Sequence, residues 1–346
     1  MAIKIALDVM GGDNSPGALV EGALSAIEQE SDLKIHMFGD GNVIEEELSR
    51  KNYTDNYRSN INIIHTEEMI HDEEQPTKAL RTKKNASLLL AMKHVKEGNA
   101  DAVLSAGNTG AFMAGGLMIL GRLKGISRPA LAPVIPSFHG ESTVILDVGA
   151  NMDAKPQNLA DFAMMGSLYA EKVLKRENPT IGLINVGEES NKGNKLLKET
   201  HTILENSKLN FAGNLEARAL LDCPYDIVVC DGFLGNILLK FAEGMSKGIL
   251  TRMKEEFTRG IRNNIGAYLL KPSLIGLRKE LDYTEYGGAP FLGINGLCIK
   301  CHGSSNSKAV KNALLMQAHP FIKEDVISSF VEEIEKGWSF QHAEPN

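Results

Sequence analysis

Short apolar runs alternate with longer segments of helical periodicity along most of the chain. This alternation is typical of an α/β fold with mostly parallel strands. Two apolar runs that flank a polar segment, at residues 130–136 and 143–148, predict a hairpin, so the sheet is expected to be mixed. Strands are predicted near residues 3–9, 33–38, 61–64, 102–105, 181–185 and 226–230, and within 287–305. Helices are predicted from residue 16, at 77–97, 157–175, 192–206 and 236–279, and as a pair at the end of the chain.

One stretch, a buried strand followed by a glycine turn and a helix, organises the rest of the chain. Ala102–Ser105 is short and apolar, as expected of a central strand covered on both faces. Gly107 and Gly110 allow a sharp turn, and Asn108 and Thr109 are good helix N-caps. The free N–H groups at the helix N-terminus would favour an anion in the crevice above the strand. Taken alone, the pattern also fits a connection without a ligand.

Four further apolar strands end in Asp or Asn followed by Gly. They begin near residues 3, 144, 181 and 227. The carboxyl ends of parallel strands lie on one edge of a sheet, where open α/β folds bind their ligands. Together, the five polar turns therefore predict a single cleft. Unrelated connectors are the alternative, because turns favour Gly, Asn and Asp in any case.

Length and composition place the chain among globular proteins. It has 346 residues, of which 43% are hydrophobic and 23% are charged. We predict a single α/β domain over residues 1–346, since the sequence contains no clear linker or repeat. The net charge of −7 argues against a general nucleic-acid binder. The chain enters a strand without a signal peptide, and no apolar stretch could span a bilayer, so a cytoplasmic protein is expected.

Four cations occupy the start of the helix predicted at residues 77–97. Cations usually lie at helix C-termini, so this placement opposes the helix dipole. They are expected to attract an anionic substrate or partner, and a solvated helix face is the alternative. These cations are Lys78, Arg81, Lys83 and Lys84.

Residues 245–280 are predicted to form a protruding, basic and amphipathic helical arm. Eight Lys or Arg residues stand against three Glu residues there, a net charge of +5 in an acidic chain. Apolar residues recur at every fourth position, with helix breaks expected near Gly260, Asn263-Asn264 and Pro272. One interpretation buries this stripe against a second subunit. A second adds contact of the tip with an anionic bilayer or an acidic carrier protein. The residues assigned to this contact are Arg252, Lys254, Phe257, Arg259, Ile261 and Arg262.

The turns are more specific together than singly. In chain order they read Asp8-Val-Met-Gly-Gly-Asp13, Ser105-Ala-Gly-Asn-Thr-Gly110, Leu146-Asp-Val-Gly-Ala-Asn151, Asn185-Val-Gly-Glu-Glu189 with Lys192-Gly193, Asp231-Gly-Phe-Leu-Gly-Asn236 and His302-Gly-Ser-Ser305. The set resembles the bacterial acyl carrier protein:phosphate acyltransferases of phospholipid synthesis, the PlsX family, over about residues 3–320. The resemblance implies a Rossmann-like α/β/α sandwich, similar to phosphotransacetylases and isocitrate-type dehydrogenases.

The resemblance also implies a reaction and partners. Such a protein is a homodimer that makes acyl phosphate reversibly from fatty acyl carrier protein and inorganic phosphate, with no cofactor. Because family members work beside membrane-bound acyltransferases, a glycerol-3-phosphate acyltransferase and an anionic membrane surface are expected partners. The association with the membrane is expected to be peripheral. Thiolate is a good leaving group, so the chemistry needs neither a metal nor a covalent nucleophile.

The chemistry of this reaction suggests roles for the turn residues. Phosphoryl oxygens need N–H groups and cations, and a tetrahedral oxyanion needs preorganised donors. Lys192 is predicted to position phosphate and Asn236 to stabilise the oxyanion. The other residues predicted to bind substrate or phosphate are Asp8, Gly11, Gly12, Asp13, Gly107, Asn108, Thr109, Gly110, Asp147, Gly149, Asn151, Asn185, Gly187, Asp231, Gly232, Gly235, His302, Gly303 and Ser304.

Two functions of other classes stay open at this point. A decarboxylating dehydrogenase of the isocitrate type would need NAD(P), a divalent metal and clustered aspartates, which Asp13, Asp147 and Asp231 could supply. A non-enzymatic module that recruits lipid-synthesis proteins to the membrane would show membrane association without turnover. A metal titration separates the first alternative from acyl transfer, and a turnover assay separates the second.

Overall fold

A computed structural model describes residues 2–51, 55–137, 142–222, 224–280 and 283–338. The strands are β1 (Ile3–Asp8), β2 (Leu33–Gly39), β3 (Ile61–His65), β4 (Ala102–Ser105), β5 (Ala130–Leu131), β6 (Val134–Pro136), β7 (Ser142–Leu146), β8 (Ile181–Asn185), β9 (Phe211–Glu216), β10 (Ile227–Val229), β11 (Gly288–Leu292) and β12 (Leu297–Cys301). The helices are α1 (Gly17–Gln29), α2 (Gly41–Arg50), α3 (Pro76–Thr82), α4 (Ser87–Lys96), α5 (Thr109–Ile119), α6 (Pro156–Lys172), α7 (Lys195–Glu205), α8 (Gly232–Phe257), α9 (Ile261–Glu280), α10 (Ser307–Asn312), α11 (His319–Lys323) and α12 (Val326–Glu335).

The strands form two sheets instead of the one mixed sheet predicted from the sequence. The first has the order β3-β2-β1-β4-β12-β11-β5 and the second the order β6-β7-β10-β8-β9. β6 and β7 are antiparallel, which confirms the predicted hairpin. The segment 130–136 explains the second sheet, because its first half pairs with β11 and its second half with β7. The chain therefore passes from one sheet into the other within one extended segment.

Helices cover both faces of the first sheet. Ala102–Ser105 is buried along its whole length, as predicted for a central strand. Successive residues of β1 belong to different apolar clusters, Leu7 with Leu19 of α1 and Ala6 with Leu88 of α4. Since side chains alternate between the two faces of a strand, α1 and α4 lie on opposite sides of the sheet. The predicted α/β/α sandwich is confirmed.

The prediction of one helix over residues 77–97 was wrong, because α3 and α4 are separate helices. Residues of the loop before α3 make hydrogen bonds to the main chain at Asn85, where the chain bends between the two helices. Thr66 Oγ1 donates to the Asn85 carbonyl over 2.6 Å, and the Asn85 N–H donates to Glu68 Oε2 over 2.9 Å. Arg81 consequently lies in the last turn of α3, where the helix dipole favours a cation. Lys78 stays in the first turn of α3, so of the predicted cations only Arg81 has moved to a favourable helix end.

The long helical stretch near the C-terminus begins at Gly232 rather than near residue 236. The Asp231 side chain caps α8 by accepting the Leu234 N–H. The chain breaks before α9 at Gly260, which has a left-handed φ of 89°, and this confirms one predicted break. The breaks predicted at Asn263-Asn264 and at Pro272 were wrong, because α9 continues through all three residues.

Candidate functional site

Three turns of the first sheet meet at the carboxyl ends of β1, β4 and β12. A Cβ added at Gly11 would lie 2.6 Å from the Gly107 nitrogen, so these backbones almost touch. Gly12 has a left-handed φ of 96°, and a Cβ there would lie 2.9 Å from the Gly303 carbonyl oxygen. The Asp13 N–H donates to that same carbonyl over 2.8 Å. Glycine is therefore required where these loops approach one another.

A row of polar side chains lies beneath these turns. The parallel register places Asp8 beside Ser105, and Ser105 beside Lys300. The Ser87 and Ser105 hydroxyls each donate to the Asp8 carboxylate over 2.7 Å, and Lys300 Nζ donates to Ala106 O over 3.0 Å. Burial raises the pKa of Asp8 and lowers the pKa of Lys300 to about 8. The predicted site residue Asp8 is thus engaged by donors inside the protein.

The N-terminus of α5 lies at the same edge of the sheet. Asn108 caps this helix, as predicted, because its Oδ1 accepts the Ala111 N–H over 2.9 Å. Its Nδ2 donates to the Asp72 carbonyl over 2.8 Å, so Asn108 also fixes the preceding loop. Thr109 and Gly110 form the exposed first turn. The free N–H groups of α5 and their partial positive charge therefore lie at the exposed sheet edge.

The buried carboxylate of Asp147 organises the turn after β7 in the second sheet. It accepts the N–H groups of Leu131 (2.9 Å), Ala150 (3.2 Å) and Asn151 (2.6 Å), and Asn151 Nδ2 donates over 2.9 Å. Burial raises the pKa of Asp147 to about 6, while these donors oppose the rise. Asp147 therefore holds the turn together from inside.

The first turns of α8 rest directly on the Asp147 turn. A Cβ at Gly235 would overlap the Asp147 carbonyl oxygen, and one at Gly232 would lie 2.6 Å from Asp147 Oδ2. Asn236 is half-buried beside Gly149, where a Cβ would lie 3.5 Å from the Asn236 side-chain oxygen. The predicted site residues brought together here are Asp147, Gly149, Asn151, Asp231, Gly232, Gly235 and Asn236.

Lys192 lies in an exposed loop between β8 and α7. The helix predicted to begin at residue 192 starts three residues later, so that prediction was wrong. Asn185 fixes the loop because its Nδ2 donates to the Lys192 carbonyl over 3.2 Å. The Lys192 ammonium lies 3.9 Å from a Glu189 carboxylate oxygen. A Cβ at Gly187 would lie 3.1 Å from Lys192 Cγ, so the predicted residues of this loop are also neighbours.

The long helix α8 connects the turns of the two sheets. His302 Nε2 lies 3.8 Å from Glu243 Oε1 of α8, and Lys240 donates to Glu243 over 2.8 Å. His302 Nδ1 lies 2.8 Å from Ser304 Oγ, and burial lowers the pKa of His302. Asn236 and Glu243 are about two helical turns apart, roughly 10 Å along the axis. Both groups of turns therefore border the same stretch of α8.

The predicted anion-attracting cations divide into two kinds. Lys78, Arg81 and Lys84 are exposed. Lys83 is half-buried, donates to a loop carbonyl over 2.8 Å and pairs with Glu74. Lys83 therefore closes the loop before α3, and the other three are available to a partner.

Sequence reasoning missed the contribution of Lys300 and the serines beside Asp8. A signal was present, because Lys300 is the lone charged residue in the apolar run Leu297–Cys301, and lysine is almost never fully buried without a partner. A cleft lined by Arg122, Arg128 and Lys155, among others, was also missed. It adjoins the Asp147 turn, and no local motif marks its cations.

Comparison with known proteins identifies the relatives of this chain. The family model described as "Fatty acid synthesis protein" matches residues 3–329. The phosphate acyltransferase of Brevibacillus brevis is 46% identical over 334 residues, which cover 96% of this chain and 98% of that protein. The phosphate acyltransferase of Clostridioides difficile is 47% identical over 334 residues, which cover 96% and 97%. A phosphotransacetylase structure from Streptococcus pyogenes shares the fold, with a TM-score of 0.62 at 18% identity over 92% of this chain and 94% of that chain. The chain belongs to the phosphate acyltransferase family of fatty acid synthesis proteins.

Proposed function

We propose that the chain transfers a fatty acyl group from acyl carrier protein to inorganic phosphate and releases acyl phosphate for phospholipid synthesis. Its family membership makes the chain an acyltransferase that acts with phosphate. The observation that carries the finer proposal is the pair of glycine-turn groups along α8. Each group contains a helix N-terminus with free N–H groups, and such groups bind phosphoryl oxygens.

The proposed reaction is a direct displacement. A phosphate oxygen attacks the thioester carbonyl carbon, and a tetrahedral oxyanion forms. The C–S bond then breaks, and the leaving sulfur takes the proton that phosphate gives up, so acyl phosphate and carrier thiol are the products. We assign Asn236 to the oxyanion because its amide lies at the first turns of α8 beside Gly149. We assign Lys192 to phosphate because its ammonium is exposed on the neighbouring loop.

The predicted carboxylates support acyl transfer better than a metal-dependent dehydrogenase. Asp147 is engaged by four internal donors, and Asp231 caps α8. Within the described ranges, the one group of three or more carboxylate and histidine side chains close enough to share an ion is Glu30, Asp32 and His319. That group lies before β2, at the opposite edge of the sheet from the turns, so the predicted site aspartates do not form such a group.

The purified protein is expected to consume fatty acyl carrier protein only when phosphate is present. Acyl phosphate should form in equal amount, and added acyl phosphate and carrier should regenerate the thioester. Released thiol and hydroxylamine-trapped acyl phosphate measure the two products. Sulfate is the matched control, because its geometry is similar but it should not accept the acyl group. Full dependence on NAD(P) or on a divalent metal, or thioester loss without phosphate, would contradict the proposal.

We assign the exposed faces of α8 and α9, and the tip where the two helices meet, to partner surfaces. Large apolar side chains are exposed along both helices, with Phe241 67%, Ile261 82% and Tyr268 76% exposed. We propose that the apolar stripe of α8 contacts a second copy of the chain in a homodimer. We propose that the tip, with Arg259 and Arg262, contacts an anionic membrane beside a glycerol-3-phosphate acyltransferase. The exposed Lys78, Arg81 and Lys84 are assigned to the acidic carrier protein.

No described helix is long and apolar enough to cross a bilayer. The proposed membrane contact is therefore an electrostatic one, supplemented by apolar side chains at the tip. At about 1 kcal/mol for each basic residue near an anionic surface, a net charge of +5 contributes up to roughly 5 kcal/mol. Attachment should be reversible and weakened by salt.

Replacing Arg259 and Arg262 by Glu and Ile261 by Asp is expected to release the protein from anionic vesicles. The substitutions reverse the charge of the tip and remove an apolar contact, and they lie far along the arm from the turns. Vesicle flotation at low and moderate salt measures the release, and thiol release measures turnover without vesicles. Lys323→Glu with Lys336→Glu, on α11 and beyond α12, is a control that lowers the net charge by four, against five for the tip variant. A tip variant that still floats contradicts the membrane proposal, and loss of turnover with unchanged flotation indicates carrier contact instead.

A further inference from the structure

We infer that Lys300 is a positioning residue for phosphate, whose buried ammonium ties two turns of the site together and supplies positive charge beneath them. The inference rests on the proposed function, because it names a residue that acts on the phosphate of that reaction. Lys300 was outside the set of site residues predicted from the sequence, and its place in the fold is the first evidence for this role.

The contacts of Lys300 join β12 to β4. The residue is 8% exposed, and its Nζ donates to the carbonyls of Ala106, over 3.0 Å, and of Cys301. Ala106 directly precedes Gly107, and Cys301 directly precedes the turn that contains Gly303. One ammonium group therefore fixes the main chain at the entrance to both turns. Both turns approach the β1 turn, so a shift of Lys300 would move the whole group.

The position of the charge is set by register. Asp8, Ser105 and Lys300 occupy one row across β1, β4 and β12. The Asp8 carboxylate accepts hydrogen bonds from two serine hydroxyls. Its negative charge also attracts the Lys300 ammonium, to which it makes no direct hydrogen bond. A buried cation costs free energy unless other groups compensate it. Two carbonyl acceptors and the nearby Asp8 compensate Lys300, so this row can hold a positive charge beneath the turns.

The need for positive charge follows from the acidic groups around the turns. A Cβ at Gly303 would lie 3.8 Å from Asp13 Oδ2 and 3.9 Å from Asp72 Oδ2, and Asp8 lies below. Three carboxylates would repel a phosphate dianion from N–H groups that otherwise suit it. Lys300 offsets this repulsion from inside the protein. The charged or titratable groups that act on Lys300 and on the adjoining His302 are Asp8, Asp13, Asp72, Lys240, Glu243 and Cys301.

Replacing Lys300 by Met is expected to raise the KM for phosphate about tenfold while kcat falls less than about threefold. Methionine preserves much of the length of the side chain and removes the charge. A tenfold loss of phosphate affinity is typical of the removal of one charged interaction. A change in KM with little change in kcat marks an interaction present before the transition state. Lys300→Arg should recover part of the lost affinity. Lys34→Met, at an exposed position of β2, is the control and should leave both constants unchanged.

The pH dependence of the KM for phosphate gives a second test, and its first part uses the unmodified enzyme alone. Burial lowers the pKa of Lys300 to about 8, so the ammonium loses its charge as the pH rises through that value. The KM for phosphate should therefore rise from pH 7 to 9.5, and this rise should be absent in Lys300→Met. Inorganic phosphate is already mainly dianionic above pH 8, so its own titration does not produce the later part of the rise.

The outcomes separate this inference from the proposed function. Absence of phosphate-dependent turnover in the unmodified enzyme contradicts the proposed function. Normal turnover with a KM for phosphate that is flat across this pH range overturns the role of Lys300. The same conclusion follows if Lys300→Met keeps the KM of the unmodified enzyme, or if it lowers stability and kcat together at constant KM.

Discussion

Replacing Asn236 by Ala is expected to lower kcat roughly 100- to 1000-fold and to change the free energy of unfolding little. The amide lies half-buried in the first turns of α8, beside Gly149 and above the Asp147 turn. A donor aimed at a developing oxyanion contributes about 3–4 kcal/mol to the transition state. Asn236 does not cap α8, because Asp231 does so. Steady-state kinetics and denaturant unfolding of the same samples measure the two effects.

Two further variants make the Asn236 result specific. Asn236→Asp keeps the shape but has no N–H donor at neutral pH, so it should lose about as much kcat as the alanine variant. The Asp40 side chain caps α2 by accepting the Asn42 N–H. Asp40→Ala removes this purely structural cap and should cost about 1 kcal/mol of stability with kcat unchanged. If Asn236→Ala instead loses stability and kcat by similar small amounts, Asn236 has an architectural role.

The elements that local sequence predicts well are those with a local cause. Ala102–Ser105 is apolar along its whole length because both faces of β4 are covered, and that pattern is visible without any knowledge of its neighbours. Asn108 was predicted as an N-cap for an equally local reason, since a side-chain oxygen can accept an N–H three residues later. The order of strand, turn and helix is therefore readable from the sequence.

The features that were missed depend on pairing between distant segments. β9 (Phe211–Glu216) is an edge strand that pairs with β8 through an irregular register, and only two of its six residues are buried. It therefore lacks the continuous apolar run that predicted the central strands. The division into two sheets has a similar origin, because the two halves of the segment 130–136 pair with strands of different sheets.

The candidate site was predictable in its positions but not in the roles of its side chains. Glycine turns after apolar strands indicated where the loops meet. Gly11 does approach Gly107, and the adjacent Gly12 approaches Gly303. The sequence does not show which way a carboxylate points. Asp8 and Asp147 turn inward to hydroxyl and N–H donors, so they shape the turns. The cation of the same region comes from β12, far along the chain, and only the strand register reveals it.

Replacing Gly235 by Ala is expected to lower the free energy of unfolding by about 3 kcal/mol or more. The added Cβ would overlap the Asp147 carbonyl oxygen and lie 2.9 Å from Cys230 Sγ. Both atoms belong to buried strand ends, and the Asp147 carboxylate is fixed by Leu131, Ala150 and Asn151. A side-chain rotation cannot relieve a contact with backbone, so α8 must move away from the turn. Denaturant unfolding measures the loss, with the slope checked for two-state behaviour.

The same helix provides the matched control for Gly235→Ala. Gly244 lies further along α8, and a Cβ there would have no other atom within 4 Å. Gly244→Ala should therefore stabilise the protein by about 0.5–1 kcal/mol, because alanine loses less backbone entropy in a helix. The two identical substitutions should thus have opposite signs, since only one meets the Asp147 turn. Equal and small effects would mean that α8 does not rest on this turn, and the placement of Asn236 beside Gly149 would be wrong for the same reason.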